Sequence, residues 1–120
     1  LTMGQSADLM ARQFGVSREE QDRYAVDSHK KAAAAWESGF YSNHVVGVAT
    51  PDGKLIDRDT DIRPDSNVEK LSTLRPVFYK DGTITAGNAS PLTDGASCIM
   101  LMKESKAREL GLKPIGAIRS

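Results

Sequence analysis

Apolar residues recur at three- and four-residue steps from the start of the chain: Met3, Ala7, Met10, Ala11 and Phe14. That spacing predicts one amphipathic helix with this stripe turned inward. Gly15 closes it at the position where a left-handed backbone costs glycine little. Ser17 followed by Glu20 is a capping box, each side chain able to satisfy the other's free N–H, and it opens a second helix. Tyr24, Ala25, Ala32, Ala35 and Trp36 carry that helix to Gly39, with Phe40 placed for a Schellman contact. The two helices together predict an αα-hairpin.

Beyond Gly39 the period changes. His44 to Ala49 reads as a strand, Pro51-Asp52-Gly53 as a turn and Lys54-Leu55-Ile56 as a partner strand. In the charged stretch "DRDTDIRPDSNVEKL", Pro64 biases Arg63 away from helix. Ser66 or Asn67 caps a short helix over Val68 to Leu74, stopped by Pro76. From Gly82 the pattern becomes α/β-like. Thr83-Ile84-Thr85 leads into the turn "TAGNASPLTDGAS", and the unbroken apolar run Ala96 to Met102 predicts a strand covered on both faces. Glu104 to Leu110 is a short helix ended by Gly111, and Pro114 to Ile118 begins another strand. Strand, helix, strand is the layered α/β pattern, with the boundary between the halves near Asp81-Gly82. No internal repeat appears.

Composition narrows the picture only a little. The chain has 120 residues, enough for a modest core, and sixteen basic residues balance sixteen acidic ones. That balance argues against bulk affinity for nucleic acid. No apolar run reaches membrane-spanning length. The single cysteine, Cys98, excludes an internal disulfide and suits a reducing compartment. Both ends, Leu1-Thr2-Met3-Gly4 and Ile118-Arg119-Ser120, read as the middle of an element, so a piece of a longer protein is expected.

Candidate chemistry is sparse. The turn from Thr85 to Ser97 is either a ligand cradle or a connector whose Asn and Asp side chains cap their own backbone. Pattern alone favours the connector, and no lysine follows the glycines as a P-loop requires. Cys98, inside an apolar run, reads as an inert core thiol rather than a nucleophile. His29 and His44 read as surface histidines, without metal or triad spacing. Glu19 and Glu20 suit the helix dipole. Met3 is a core residue or lines an apolar slot at a helix entry. Arg63, Lys70 and Arg75 are solvated surface or a phosphate-holding patch, where arginine's fork favours bidentate contact. The residues by themselves give an α+β piece without a catalytic set.

Three stretches taken in order carry a resemblance. They are "MGQSADLMARQFGVSREEQDRYAVDSHKKAAAAWESG", "EKLSTLRPVFYKDGTITAGNASPLTDGAS" and "KESKARELGLKPIGAIRS". The chain resembles the thiolase family, CoA-dependent acyltransferases that cleave or form 3-ketoacyl-CoA. Its "PLTDGAS" variant is more similar to the thiolase subunits of fatty-acid β-oxidation complexes than to biosynthetic acetoacetyl-CoA thiolases. The resemblance implies an incomplete α/β thiolase-like fold. Residues 1–82 would form the loop domain covering CoA, 83–112 the end of the N-terminal domain, and 113–120 the first strand of the C-terminal domain. The family's catalytic cysteines and histidine fall on no residue of this chain, and Cys98 corresponds to neither cysteine, so the 120 residues alone are expected to be inactive. Ser90 and the Ala86 backbone match positions that hydrogen-bond the pantetheine arm, Met3 matches one lining that channel, and Arg63 one near the adenosine end. Thr2 departs from the histidine many members carry there. Coenzyme A is then a substrate and product, with no permanent cofactor or metal. A second copy of the chain's parent, and a hydratase/dehydrogenase subunit, are the implied partners, in the cytoplasm or, in a eukaryote, in mitochondria or peroxisomes. Two rivals stand beside this: a stand-alone CoA- or acyl-binding module, and a subunit-interaction domain without catalysis.

Overall fold

The first helix, α1 (Met3–Phe14), is started by a cap on Thr2. Thr2 Oγ1 accepts from Gln5 N at 3.3 Å and Gln5 Oε1 accepts from Thr2 N at 2.9 Å, a reciprocal pair that satisfies two free donors. Gly15, at φ 67°, ends the helix, and Val16 N donates back to Ala11 O at 2.9 Å. Helix α2 (Arg18–Glu37) begins at the expected Ser17–Glu20 box. Its far end is closed by Gly39, at φ 75°, and a 3₁₀ turn, Phe40–Asn43. Phe40 enters this turn instead of making the expected Schellman contact, and its ring stacks on His44 at 5.2 Å.

The computed structural model describes residues 1–93 and 95–119; Asp94 of the Asp-Gly pair and Ser120 of the last expected strand lie outside them. β1 (Val48–Ala49) and β2 (Leu55–Ile56) pair antiparallel, Val48 opposite Ile56. Gly53, at φ 82°, turns the hairpin. Helix α3 (Val68–Ser72) is capped by Asn67, whose Oδ1 accepts from Lys70 N at 2.8 Å, and it packs along α2. Helix α4 (Glu104–Glu109) ends near Gly111, at φ 67°.

Several sequence expectations need correction. The stripe predicted to bury α1 faces solvent: Met3, Met10 and Phe14 are exposed, and of the five only Ala11 is buried. The packed face is Gly4, Asp8 and Ala11, turned toward Phe78 and Gly82. No αα-hairpin forms, because α1 and α2 do not lie along each other and each docks separately on residues 77–90. Residues 83–85, 96–102 and 114–118 are not strands. A strand exists through its ladder, and no neighbouring strand pairs with these segments among the described residues. Cys98 is correspondingly exposed rather than an inert core thiol.

Candidate functional site

The turn after Thr85 is built by two buried aspartates that reach it from different helices. Asp8 of α1, 4% exposed, accepts on Oδ1 from Thr83 N at 2.7 Å and from Ile84 N at 3.0 Å. Asp22 of α2, 0% exposed, accepts on Oδ1 from Asn88 Nδ2 at 2.9 Å. Asn88 returns its own Oδ1 to Thr85 N at 2.7 Å, and Ala89 N donates to Thr85 O at 3.1 Å. Thr85 itself is fully buried, and its hydroxyl accepts from Gly87 N at 3.2 Å. The Asn side chain does cap its own backbone, as the connector reading expects. It does more, tying the turn to α2.

This fixed turn forms one wall of a groove of about 310 Å³. Ala86, Gly87, Ala89, Ser90 and Pro91 supply that wall, and Leu71 of α3 another. Asp61, Arg63, Ser66 and His29 complete it. Three of the four residues singled out from the sequence, Arg63, Ala86 and Ser90, therefore meet in one place although up to 27 positions separate them. Met3 does not join them: it stands 90% exposed at the start of α1 and lines no part of this groove.

The groove's polar groups differ in how committed they are. His29 Nδ1 accepts from Arg63 N at 3.2 Å, which places the ring proton on Nε2. His29 is thus part of the groove and not the plain surface residue its sequence context suggests; only a contact 34 positions away reveals it. Lys70, which does not line the groove, is engaged with Asp65 at 3.1 Å, and this pairing holds the Asp65 carboxyl below its ordinary value. Among the described residues the Arg63 guanidinium forms no ion pair, so it remains available to an anion. Small side chains at Ala86, Gly87, Ala89 and Ser90 let a ligand approach the backbone closely. A second cavity, of about 270 Å³, lies between the end of α1 and residues 81–83. It contains the Arg12–Asp81 pair, 3.0 Å apart, and none of the four singled-out residues. Among the described residues no group of three or more His, Cys, Asp or Glu could hold a metal, and no helix is long and apolar enough to cross a membrane.

Residues 1–105 match the family model of the thiolase N-terminal domain. The chain belongs to the thiolase family. A 3-ketoacyl-CoA thiolase of Photobacterium profundum is 50% identical over the whole of this chain, which spans 28% of that relative's length. A probable acetyl-CoA acyltransferase of Staphylococcus aureus is 46% identical over 97% of the chain, which covers 30% of the relative. The dimeric peroxisomal thiolase of Saccharomyces cerevisiae superposes on 93% of the chain with a TM-score of 0.85 at 38% identity, this region making up 29% of the yeast chain. Human mitochondrial 3-ketoacyl-CoA thiolase, solved in complex with CoA, superposes on 95% with a TM-score of 0.80 at 33% identity, again over 29% of the solved chain. The described backbone of this chain thus follows the thiolase fold.

Proposed function

We propose that this thiolase segment holds coenzyme A for an acyltransferase acting on 3-ketoacyl-CoA, acyl-CoA + acetyl-CoA ⇌ CoA + 3-oxoacyl-CoA. The observation that carries the reading is the convergence of Arg63, Ala86 and Ser90 on one groove. CoA is a long, flexible arm with a phosphorylated nucleotide at one end and a reacting thiol at the other. Small residues and backbone polar groups suit the arm, and an uncommitted guanidinium suits the phosphates. The Ser90 hydroxyl and the Ala86 backbone hydrogen-bond the pantetheine, and Arg63 meets the nucleotide end. CoA bound to the human relative supports the ligand class.

In this reading residues 1–82 cover CoA, 83–112 complete an N-terminal domain and 113–120 enter a C-terminal one. The segment's contribution to catalysis is alignment: it fixes the arm so that the thioester meets the reacting groups repeatedly in one geometry. The thiolate nucleophile and the base of ping-pong acyl transfer belong to the rest of the enzyme. Cys98 lies outside the groove and takes no part. The enzyme assembles as a homodimer, a state the yeast relative is named for, with a hydratase/dehydrogenase subunit as a further partner.

Isothermal titration of the enzyme carrying this segment with CoA tests the reading. Ser90→Ala removes one hydrogen bond and weakens CoA roughly two- to tenfold, while Arg63→Ala removes a charged one and weakens it roughly tenfold, more at low salt than at high. An interaction domain without a CoA role predicts unchanged affinity in both variants.

A further inference from the structure

The groove's walls come from separate parts of the chain, and one buried carboxylate is bonded toward two of them. Asp22 Oδ2 accepts from Arg18 Nε at 2.8 Å, and the same arginine donates through Nη2 to the carbonyl oxygens of Leu71 and, at 3.2 Å, Leu74. Arg18 thereby closes the C-terminal end of α3, where Leu71 forms the wall facing the turn. On its other side Asp22 Oδ1 accepts from Asn88 Nδ2, which also donates to Thr83 O at 3.0 Å. An ionised carboxylate only accepts hydrogen bonds, so Asp22 matches the orientation in which Asn88 turns its oxygen to Thr85 N and its NH₂ to Thr83 O, and ties that amide to α2. That orientation sets the turn carrying Ala86 and Ser90. The two walls then meet at Gly87, where an added Cβ would lie 2.6 Å from both Leu71 Cδ2 and Leu74 Cδ1.

We propose that Asp22 is a positioning residue for the groove's ligand, holding the turn and α3 at the separation the pantetheine arm requires without touching the arm itself. It is fully buried and is not a lining residue of the groove. The proposal rests on the CoA reading above. Loss of the carboxylate leaves the Asn88 amide held only within its own turn, by Thr85 N and Thr83 O, and frees Arg18 to leave the α3 carbonyls, so the link that sets the two walls against each other is lost. A stability role alone would reduce the amount of folded enzyme without changing how the folded fraction binds CoA.

CoA titration and steady-state kinetics on the enzyme carrying this segment separate the two. Asp22→Asn, nearly the same shape, raises both Kd and KM for CoA roughly tenfold while kcat changes much less, since one charged link to each wall is lost. Arg18→Lys keeps a charge beside Asp22 but loses the second arm to α3, and raises KM by a smaller factor. Unchanged Kd and KM in folded Asp22→Asn, or a fall in kcat at fixed KM, overturns the proposal. Should Asp22→Asn not fold, Arg18→Lys decides in the same terms: a raised KM supports it and an unchanged KM overturns it. If Ser90→Ala and Arg63→Ala also leave CoA binding intact, the groove reading itself is wrong. If they weaken binding while Asp22→Asn and Arg18→Lys do not, only the positioning role fails.

Discussion

Gly82 has no room for a side chain. A Cβ there would lie 2.5 Å from Asp8 Oδ2 and 2.8 Å from its Cγ, on a carboxylate already bonded to Thr83 N and Ile84 N. Asp8 Oδ2 is buried without a hydrogen-bond partner, but Oδ1 is held by Thr83 N and Ile84 N, so the carboxylate cannot swing away from Gly82 without giving up those bonds. Gly82→Ala therefore overpacks the site, and a melting experiment on the enzyme should show a loss of about 1–3 kcal/mol. An unchanged melting temperature would mean that Asp8 relaxes freely and that its bonds to the turn are weak. Neither Asp8 nor Asp22 could be found in the sequence as a core residue. Hydrophobic patterning assigns carboxylates to the surface. What makes their burial tolerable is donors on Thr83, Ile84 and Asn88, more than sixty positions away, joined for Asp22 by Arg18 one turn earlier on its own helix. From the residues alone the turn with Ser90 and the arginine at 63 each stand as one of two readings, and only the resemblance singles out Arg63, Ala86 and Ser90 together, because small residues and an arginine in a charged stretch carry no distinctive pattern.

Helix ends were readable because capping is local. Ser17 N donates to Glu20 Oε2 at 2.8 Å and Glu20 N donates to Ser17 Oγ at 3.2 Å, as the Ser-x-x-Glu spacing dictates. These bonds favour the charged carboxylate and hold Glu20 below its ordinary value of 4.5. A lowered folded value means that the cap contributes fully above pH 4.5 and is lost as pH falls through the lowered value. Circular dichroism should thus show α2 losing helicity on acidification below pH 4.5, and Glu20→Gln, whose amide oxygen still accepts from Ser17, should lose less over the same interval. Coincident acid curves for the two proteins would remove this role from Glu20. The faces and the strands were less legible than the ends. The α1 stripe was misassigned because Met3, Met10 and Phe14 share helical spacing, yet the neighbour that α1 meets, residues 77–84, accommodates Gly4 and Asp8 instead. The run from Ala96 to Met102 has the composition of a covered strand, but composition supplies no partner.

As a body, the chain is spread out. Its radius of gyration is 20.1 Å. A compact chain of this length would have about 14 Å. Its accessible surface is 10443 Å². Folded monomers of the same mass expose roughly 6,300 Å². Leu92, Ile99, Met100, Leu101, Ile115 and Ile118 are among the exposed apolar residues, concentrated in the irregular segments around α4. Apolar surface of this kind drives association. The 120-residue chain alone should sediment as self-associated species and melt broadly. A sharp cooperative melt of a monomer would contradict that expectation. Fold class and an incomplete fold were accessible from the sequence through the ordered set of motifs, whereas which apolar residues would be left exposed was not, since that reflects which surfaces find neighbours.

The groove's assignment to CoA is tested most directly by a crystal structure of the enzyme carrying this segment with CoA bound. The account predicts the pantetheine arm lying against Ala86 and Ser90, the nucleotide phosphates within reach of Arg63, and Asp22 still bonded to Asn88 and Arg18 beneath the turn. CoA seated elsewhere, with this groove empty, would contradict it.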